Sequence, residues 1–212
     1  MIFDLWETLV DWDEETSHAF QRTVAEHLRR DPDEFITAWT AGRLQRDTGT
    51  LAEYLLGLGV EDHMVGEFMG ARERSTRTML VPRAGVVETL KELRRRGIAT
   101  GLISVCSEDV PNVWPETPFA DLFDATVFSC SVRLRKPDPR IYLLACEQLG
   151  VSPEEALFVG DGANDELAGA ERVGMRAVLI HRAGEEPIWD EVRDWRGARI
   201  TSIPELLAVL DE

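Results

Sequence analysis

From Val81 onward, short apolar segments alternate with stretches whose apolar residues recur at helical spacing. Apolar segments bounded by glycine or polar residues are typical of buried strands, and the amphipathic stretches between them are typical of helices. Predicted strands cover residues 98–104, 125–130, 156–160 and 176–180, with one more near Arg199; predicted helices cover 86–96, 140–149 and 165–173, with a last one near Pro204. Strands separated by helices predict an α/β fold built on a doubly wound parallel sheet.

The N-terminal third follows a different pattern. Residues 1–10 form one more short apolar run, interrupted by Asp4, and predict the first strand. Residues 12–80 have apolar positions at helical spacing and predict about four helices. We therefore expect an α/β core domain made of residues 1–11 and 81–212, with residues 12–80 forming a small α-helical cap domain over the sheet.

Composition narrows the functional classes. Of 212 residues, 44% are hydrophobic and 29% charged, as in ordinary globular proteins. A formal net charge of −16 disfavours nucleic acid as a ligand, because nucleic-acid-binding proteins usually present a basic face. No segment approaches the roughly 20 apolar residues of a membrane span, and the first residues lack the features of a signal peptide. Three widely spaced cysteines fit neither a disulfide framework nor a zinc motif, so we expect a cytoplasmic protein.

Polar residues follow several of the predicted strands. In a doubly wound sheet, ligands bind beyond the carboxyl ends of the strands, near the point where the strand order reverses. The polar residues at these ends are Asp4, Thr8, Ser104, Lys136 and Asp161. Asp4 is either a turn-forming acid or a nucleophile that forms a covalent intermediate. Ser104 either donates a hydrogen bond to an anionic oxygen or simply satisfies the end of its strand.

The segment around Asp161, Gly-Asp-Gly-Ala-Asn-Asp-Glu, is an acidic turn between a strand and a helix. Oxygen ligands in such a turn can hold a hard cation, supported by Asp165 or Glu166. These two acids are equally typical of a helix N-terminus. Lys136 is one of only two lysines against 21 arginines, which favours a need for a compact point charge at that position.

Four segments, in order, resemble the four motifs of the haloacid dehalogenase-like (HAD) superfamily. They are Phe-Asp-Leu-Trp-Glu-Thr-Leu-Val near the N-terminus, Ile103-Ser104, Arg-Lys-Pro-Asp-Pro-Arg around Lys136, and Val-Gly-Asp-Gly-Ala-Asn-Asp-Glu around Asp161. The resemblance extends over the whole chain and includes the subgroup feature of a helical cap inserted after motif one. It implies a Rossmann-like core and hydrolase activity on a small phosphorylated or otherwise anionic substrate.

For phosphoryl transfer, the resemblance implies that Asp4 is the nucleophile and becomes an aspartyl-phosphate. Thr8 would steady the loop that carries Asp4. Ser104 and Lys136 would bind the oxygens of the transferring group, and Lys136 would also offset the charge of the nucleophile. Neutralising charge on these oxygens is most of what phosphoryl transfer requires of a protein.

The resemblance also implies Mg²⁺ as the cofactor. Its ligands would be Asp4, Asp161 and the backbone carbonyl of Trp6, supported by either Asp165 or Glu166.

Motif one departs from the phosphatases of the superfamily. Their second aspartate, a general acid and base, is replaced by Trp6, and Glu7 stands where glycine is usual. Positioned acid–base catalysis contributes roughly a hundred- to ten-thousand-fold, so we expect slow turnover unless Glu7 substitutes or the leaving group is good. Val105 also replaces an asparagine that is common after the motif-two hydroxyl.

Three functions therefore stay open. A Mg²⁺-dependent phosphatase ranks first because the fourth motif has the glycine–aspartate form of the magnesium-dependent members. The aromatic Trp6 favours a metal-independent 2-haloacid dehalogenase, whose halide leaves without a proton. A low-activity protein that binds a phosphorylated ligand is the third.

The cap carries arginines that could reach an anionic substrate, although arginines on a helix surface are usually solvated. They are Arg43, Arg46, Arg72, Arg74 and Arg77. Trp39 is expected in the cap core, and residues 185–195 are expected to form a surface loop without a functional role. A monomer and a homodimer both suit the composition.

Overall fold

A computed structural model describes residues 1–182, 184–185 and 188–210 of the chain. In this part of the chain, six parallel strands form one sheet. They are β1 (Ile2–Phe3), β2 (Gly101–Ser104), β3 (Ala125–Phe128), β4 (Leu157–Gly160), β5 (Arg176–Ile180) and β6 (Ala198–Ile200). Their order, β3-β2-β1-β4-β5-β6, reverses between β1 and β4. The predicted doubly wound α/β fold is confirmed.

Six helices lie between β1 and β2, and the other helices connect or follow the later strands. The helices are α1 (Glu14–His27), α2 (Pro32–Ala41), α3 (Arg43–Thr48), α4 (Leu51–Leu58), α5 (Asp62–Met79), α6 (Val86–Arg95), α7 (Asp109–Val113), α8 (Ser129–Val132), α9 (Pro139–Leu149), α10 (Glu166–Arg172) and α11 (Leu206–Val209). None of the helices in the described residues has both the length and the apolar character needed to cross a bilayer.

Each face of the sheet packs against its own set of helices. Phe3, Leu102 and Val159 lie in the cluster that includes α6 and α11. Their chain neighbours Ile2 and Phe158 lie in the cluster that includes α9 and α10. Successive residues of a strand point to opposite faces, so strands that are apolar throughout are buried on both sides.

Helices α1, α2, α4 and α5 contribute to a third hydrophobic cluster, whose buried residues all lie between Phe20 and Phe68. Trp39 packs edge-on against Phe20 and Tyr54 in it, with ring centroids 5.6 and 5.2 Å away. Side chains of Asp13, Asp31 and Thr50 cap the N-termini of α1, α2 and α4. A separate hydrophobic core supports the division that we propose, with residues 12–80 as a cap domain.

Two local differences from the sequence prediction have physical causes. Residues 12–80 form five helices instead of about four, because α3 forms although its only large apolar side chain, Leu44, is 56% exposed. The first strand has two residues, because the amides of Thr8, Leu9 and Val10 all bond back to the carbonyl of Leu5 and turn the chain.

The register of the central strands brings three polar residues to one edge of the sheet. Phe3 is level with Leu102 on β2 and with Val159 on β4. The amide of Asp4 then donates a hydrogen bond of 2.8 Å to the carbonyl of Val159. Asp4, Ser104 and Asp161 therefore come to the carboxyl edge of the sheet, close to the reversal of strand order.

Replacing Phe158 by alanine should lower the free energy of unfolding by about 3–5 kcal/mol, because this fully buried ring packs edge-on against Tyr142 with centroids 5.6 Å apart. Leu143→Ala on α9 is the matched control: this side chain is 46% exposed, so we expect a change within about 0.5 kcal/mol. Urea unfolding of both variants measures the difference, and equal losses would contradict the packing described here.

Candidate active site

The carboxyl ends of β1 and β4 open into a cavity of about 410 Å³. Five charged side chains of residues 1–11 and 81–212 line it: Asp4, Glu7, Lys136, Asp161 and Glu166. Residues of α1, α2, α3 and α5 form the opposite wall. A molecule in this cavity would therefore contact the strand ends and the proposed cap at the same time.

Lys136 joins two carboxylates beneath the cavity. Its Nζ donates to Asp4 Oδ1 and to Glu166 Oε2, and it lies 5.3 Å from the centre of the Phe158 ring. The side chain is 2% exposed. Burial acts to lower the pKa of Lys136, but Asp4 and Glu166 outweigh it and raise the pKa above its usual value. Lys136 is therefore a fixed positive charge beside Asp4.

Asp161 has a different set of partners. Its Oδ2 accepts a hydrogen bond of 2.6 Å from the indole Nε1 of Trp189, and its Oδ1 accepts one of 3.2 Å from the amide of Ala163. Burial, followed by the nearby Asp4 carboxylate, raises the pKa of Asp161 to about 6, whereas the Trp189 hydrogen bond acts against that rise.

Glu166 fills a space that only glycine leaves open. A Cβ atom on Gly160 would lie 2.0 Å from Glu166 Oε1, so a side chain there would displace the carboxylate. The same oxygen accepts a hydrogen bond of 3.0 Å from the amide of Gly162. Burial raises the pKa of Glu166, and Lys136 opposes this. Asp165 lies apart on the surface, where its Oδ2 is 2.9 Å from Arg172 Nη1.

The turn that places Glu166 depends on left-handed backbone conformations. Gly162 has φ +94°, and a Cβ there would lie 2.5 Å from Val192. Asn164 and Asp165 also have positive φ, a region in which asparagine and aspartate are the most readily tolerated non-glycine residues. The predicted helix from residue 165 accordingly begins at Glu166.

The carboxylates of this site can hold a divalent cation. One oxygen each from Asp4, Asp161 and Glu166 lies within 4.8 Å of the others, and all three residues are buried. Three acids face one lysine, so ionised carboxylates would be in excess. Carboxylate oxygens are the ligands that hard cations prefer, and a cation would offset the excess charge.

Thr8 and Ser104 are fully buried and are not among the described residues that line the cavity. The hydroxyl of Thr8 lies 3.4 Å from Asp4 Oδ2, which suits a residue that orients Asp4. The hydroxyl of Ser104 has no hydrogen-bond partner among the described residues. Val105, the next residue, does line the cavity.

Comparison with known proteins fits this geometry. A family model described as haloacid dehalogenase-like hydrolase matches residues 1–174. The chain is a haloacid dehalogenase-like hydrolase.

The chain is similar both to phosphatases and to a dehalogenase of this family. The hydrolase is 27% identical over 223 residues to a glyceraldehyde 3-phosphate phosphatase of Pyrococcus furiosus, covering 100% of this chain and 92% of the relative. It is 34% identical over 104 residues to (S)-2-haloacid dehalogenase 4A of Burkholderia cepacia, an alignment that spans 49% of this chain and 45% of that protein. The crystal structure of a HAD phosphatase from Thermococcus onnurineus superposes with a TM-score of 0.74 at 25% identity, covering 99% and 96% of the two chains.

Motif one of this hydrolase presents aromatic rings where an acid would act. Trp6 lines the cavity and packs edge-on against Trp12, with ring centroids 5.0 Å apart. The carboxylate of Glu7 is already occupied: Oε1 accepts from the amide of Trp12, and Oε2 lies 2.7 Å from Arg83 and 3.3 Å from Arg182. Both carboxylate oxygens of Glu7 already accept hydrogen bonds from protein donors, so the side chain is poorly placed to serve a leaving group.

The structure also reveals cavity residues that sequence patterns missed. Trp189 lies in the segment expected to have no role, yet it bonds to Asp161; no motif or periodicity marks it. His18 and Gln21 line the cavity from α1, one helical turn apart. Of the five arginines that the sequence analysis named, Arg43, Arg46 and Arg72 line the cavity. Arg46 and Arg72 are buried, and no pattern in the sequence separates them from the exposed Arg74 and Arg77.

Trp189→Phe should raise the pKa of Asp161 in the metal-free protein above its value of about 6. The indole hydrogen bond stabilises the ionised carboxylate, so its loss favours the protonated form. Carbon-13 NMR titration of the aspartate carboxyl groups measures this value. Trp195→Phe is the control, since its indole donates to the carbonyl of Ala198 instead, and an equal rise in that variant would contradict the assignment.

Proposed function

We propose that the protein is a Mg²⁺-dependent phosphatase of a small phosphorylated metabolite and that Asp4 is its nucleophile. The observation that carries the proposal is the joint placement of Asp4, Lys136, Asp161 and Glu166 at the floor of one cavity. A buried lysine and a cluster of carboxylate oxygens suit the charge of a phosphoryl group and a metal ion together.

Asp4 is positioned for attack on phosphorus. Lys136 binds one of its oxygens, and Thr8 lies 3.4 Å from the other, Oδ2. In the first step, a carboxylate oxygen forms a bond to phosphorus as the bond to the leaving group breaks, giving an aspartyl-phosphate. Water then attacks phosphorus, releases phosphate and restores the carboxylate. Lys136 stays protonated and offsets negative charge in both steps.

Asp4, Asp161 and the backbone carbonyl of Trp6 would hold Mg²⁺, with Glu166 rather than Asp165 in support. When bound, Mg²⁺ would supply charge neutralisation at the phosphoryl oxygens. The choice of Glu166 follows from its place in the buried cluster, whereas Asp165 pairs with Arg172 at the surface.

The leaving group must depart without a dedicated proton donor in motif one, because Trp6 replaces the acid and Glu7 is held by arginines. Acyl and aryl phosphates have leaving groups stable enough to depart as anions. We therefore infer that such compounds are turned over much faster than alkyl phosphates.

The three free cysteines are consistent with the cytoplasmic location that we expect.

Relatives named as phosphatases support this reading, among them the Pyrococcus protein, whose alignment covers the whole chain. A metal-independent dehalogenase is the second candidate, favoured by Trp6 and by the partial match to the Burkholderia enzyme. It would use Asp4 to attack carbon and would need no cation. The three clustered carboxylates favour the phosphatase.

Asp4→Asn should abolish the Mg²⁺-dependent hydrolysis of acetyl phosphate and para-nitrophenyl phosphate, because it removes the nucleophile. Asp165→Asn is the matched control in the fourth motif and should retain activity within about twofold, since a surface substitution away from the site has little effect. Phosphate release with and without Mg²⁺ measures both. Metal-independent halide release from 2-chloropropionate that needs Asp4 would favour the dehalogenase instead.

Trp6→Asp should restore a proton donor and raise the turnover of alkyl phosphates by roughly a hundred-fold or more. Para-nitrophenyl phosphate needs little protonation, so its turnover should change far less. Steady-state kcat values for glycerol 3-phosphate and para-nitrophenyl phosphate give the comparison. An equal change for both substrates would mean that protonation of the leaving group does not limit the native protein.

A further inference from the structure

The cavity wall opposite Asp4 carries side chains of both charges. Asp47 is paired with Arg43, whose Nε lies 3.3 Å from its Oδ2, whereas Arg46 and Arg72 are the buried cations of the wall. Arg46 on α3 and Arg72 on α5 both line the cavity, and they are 7% and 5% exposed. Arginines are rarely this buried unless they are paired. What these two side chains contact therefore decides what the wall can bind.

Arg72 has donors to spare. Its Nε lies 3.2 Å from Asp109 Oδ2, but neither Nε nor Nη1 makes a hydrogen bond of acceptable geometry with any described residue. Asp109 already accepts from the hydroxyls of Thr76 and Ser107. The guanidinium lies 5.6 Å from the centre of the Phe20 ring. A buried N–H without a partner is costly, so a ligand that offers an acceptor to Arg72 would be favoured here.

Arg46 is held rigidly beside it. The guanidinium lies 4.3 Å from the Trp39 ring centre and 4.8 Å from that of Tyr54, and Nη1 donates to the carbonyl of Trp39. Burial lowers the pKa of Arg46, Tyr54 and Asp47 act against this, and the charge of Arg72 adds a smaller lowering effect. Arg46 and Arg72 carry like charges on the same wall, so an anion that faces both would offset their repulsion.

We propose that this wall is a subsite for a carboxylate on the substrate, at the end remote from the phosphoryl group. This rests on the proposed function, which places the phosphoryl group at Asp4. A guanidinium fork matches the two oxygens of a carboxylate, and a cavity of about 410 Å³ suits a compact molecule with an anion at each end. Arg72 and Arg46 would set the substrate class: phosphorylated carboxylic acids.

The test compares two isosteric aryl phosphates, 4-carboxyphenyl phosphate and its neutral amide, 4-carbamoylphenyl phosphate. Both have leaving groups suited to a site without a proton donor. For the native protein we expect kcat/KM to be about 10-fold or more higher for 4-carboxyphenyl phosphate than for the amide. Arg72→Gln and Arg46→Gln should bring that ratio close to one. Arg74→Gln, an exposed arginine on the same helix as Arg72, should leave the ratio unchanged.

The ratio separates recognition from a structural role of Arg72. Loss of the Arg72–Asp109 contact alone would lower kcat/KM for both compounds equally and leave the ratio intact, which would overturn the proposal. A ratio near one in the native protein would also overturn it. Arg72→Lys, which keeps the charge, covers the case in which the glutamine variant does not fold; it should retain part of the preference.

A binding measurement keeps this inference distinct from the proposed function. In Asp4→Asn protein, calorimetric titration with each compound should show the same preference for the carboxylate without any turnover. Absence of turnover by the native protein, together with this binding preference, would reject the phosphatase and keep the subsite. Turnover that depends on Asp4 but shows no preference for the carboxylate would reject the subsite and keep the phosphatase.

Discussion

The contact on which the site depends is the buried lysine between two carboxylates. Lys136 holds Asp4 and Glu166 in a setting where an unpaired charge would be very costly, so none of the three residues can be removed without exposing the others to that cost. The arrangement fixes Asp4, the proposed nucleophile, keeps a positive charge beside it, and holds the Glu166 carboxylate close to Asp161. Buried ion pairs of this kind add little stability compared with apolar packing. We therefore expect their main effect to be the positioning of Asp4 and Glu166.

The fold makes that contact possible. Parallel strands with β1 and β4 as neighbours bring Asp4 and Asp161 to one edge, and the chain continues from β4 through a left-handed turn to Glu166. Gly160 leaves the space that the Glu166 carboxylate fills. Phe158 links the hydrophobic core to the site, because its ring is part of the core and also lies under the Lys136 ammonium.

Sequence patterns predicted the sheet and the acids of the site because both are local signals: apolar runs, glycine stops and polar residues just after strands. They missed α3, which buries Arg46 and Asp47 instead of an apolar stripe. They also missed Trp189, whose partner is 28 residues away. The turn places Glu166 in the carboxylate cluster and Asp165 at the surface through positive φ angles, which spacing alone does not reveal.

The central claim is that Asp4 attacks phosphorus, and trapping the intermediate tests it most directly. The native protein would be mixed with acetyl phosphate and Mg²⁺, quenched in acid within milliseconds and digested for mass spectrometry. The account predicts a phosphoryl group on the peptide that contains Asp4, and specifically on that residue. A phosphoryl group on another residue, or phosphate release with no trapped adduct at any quench time, would contradict it.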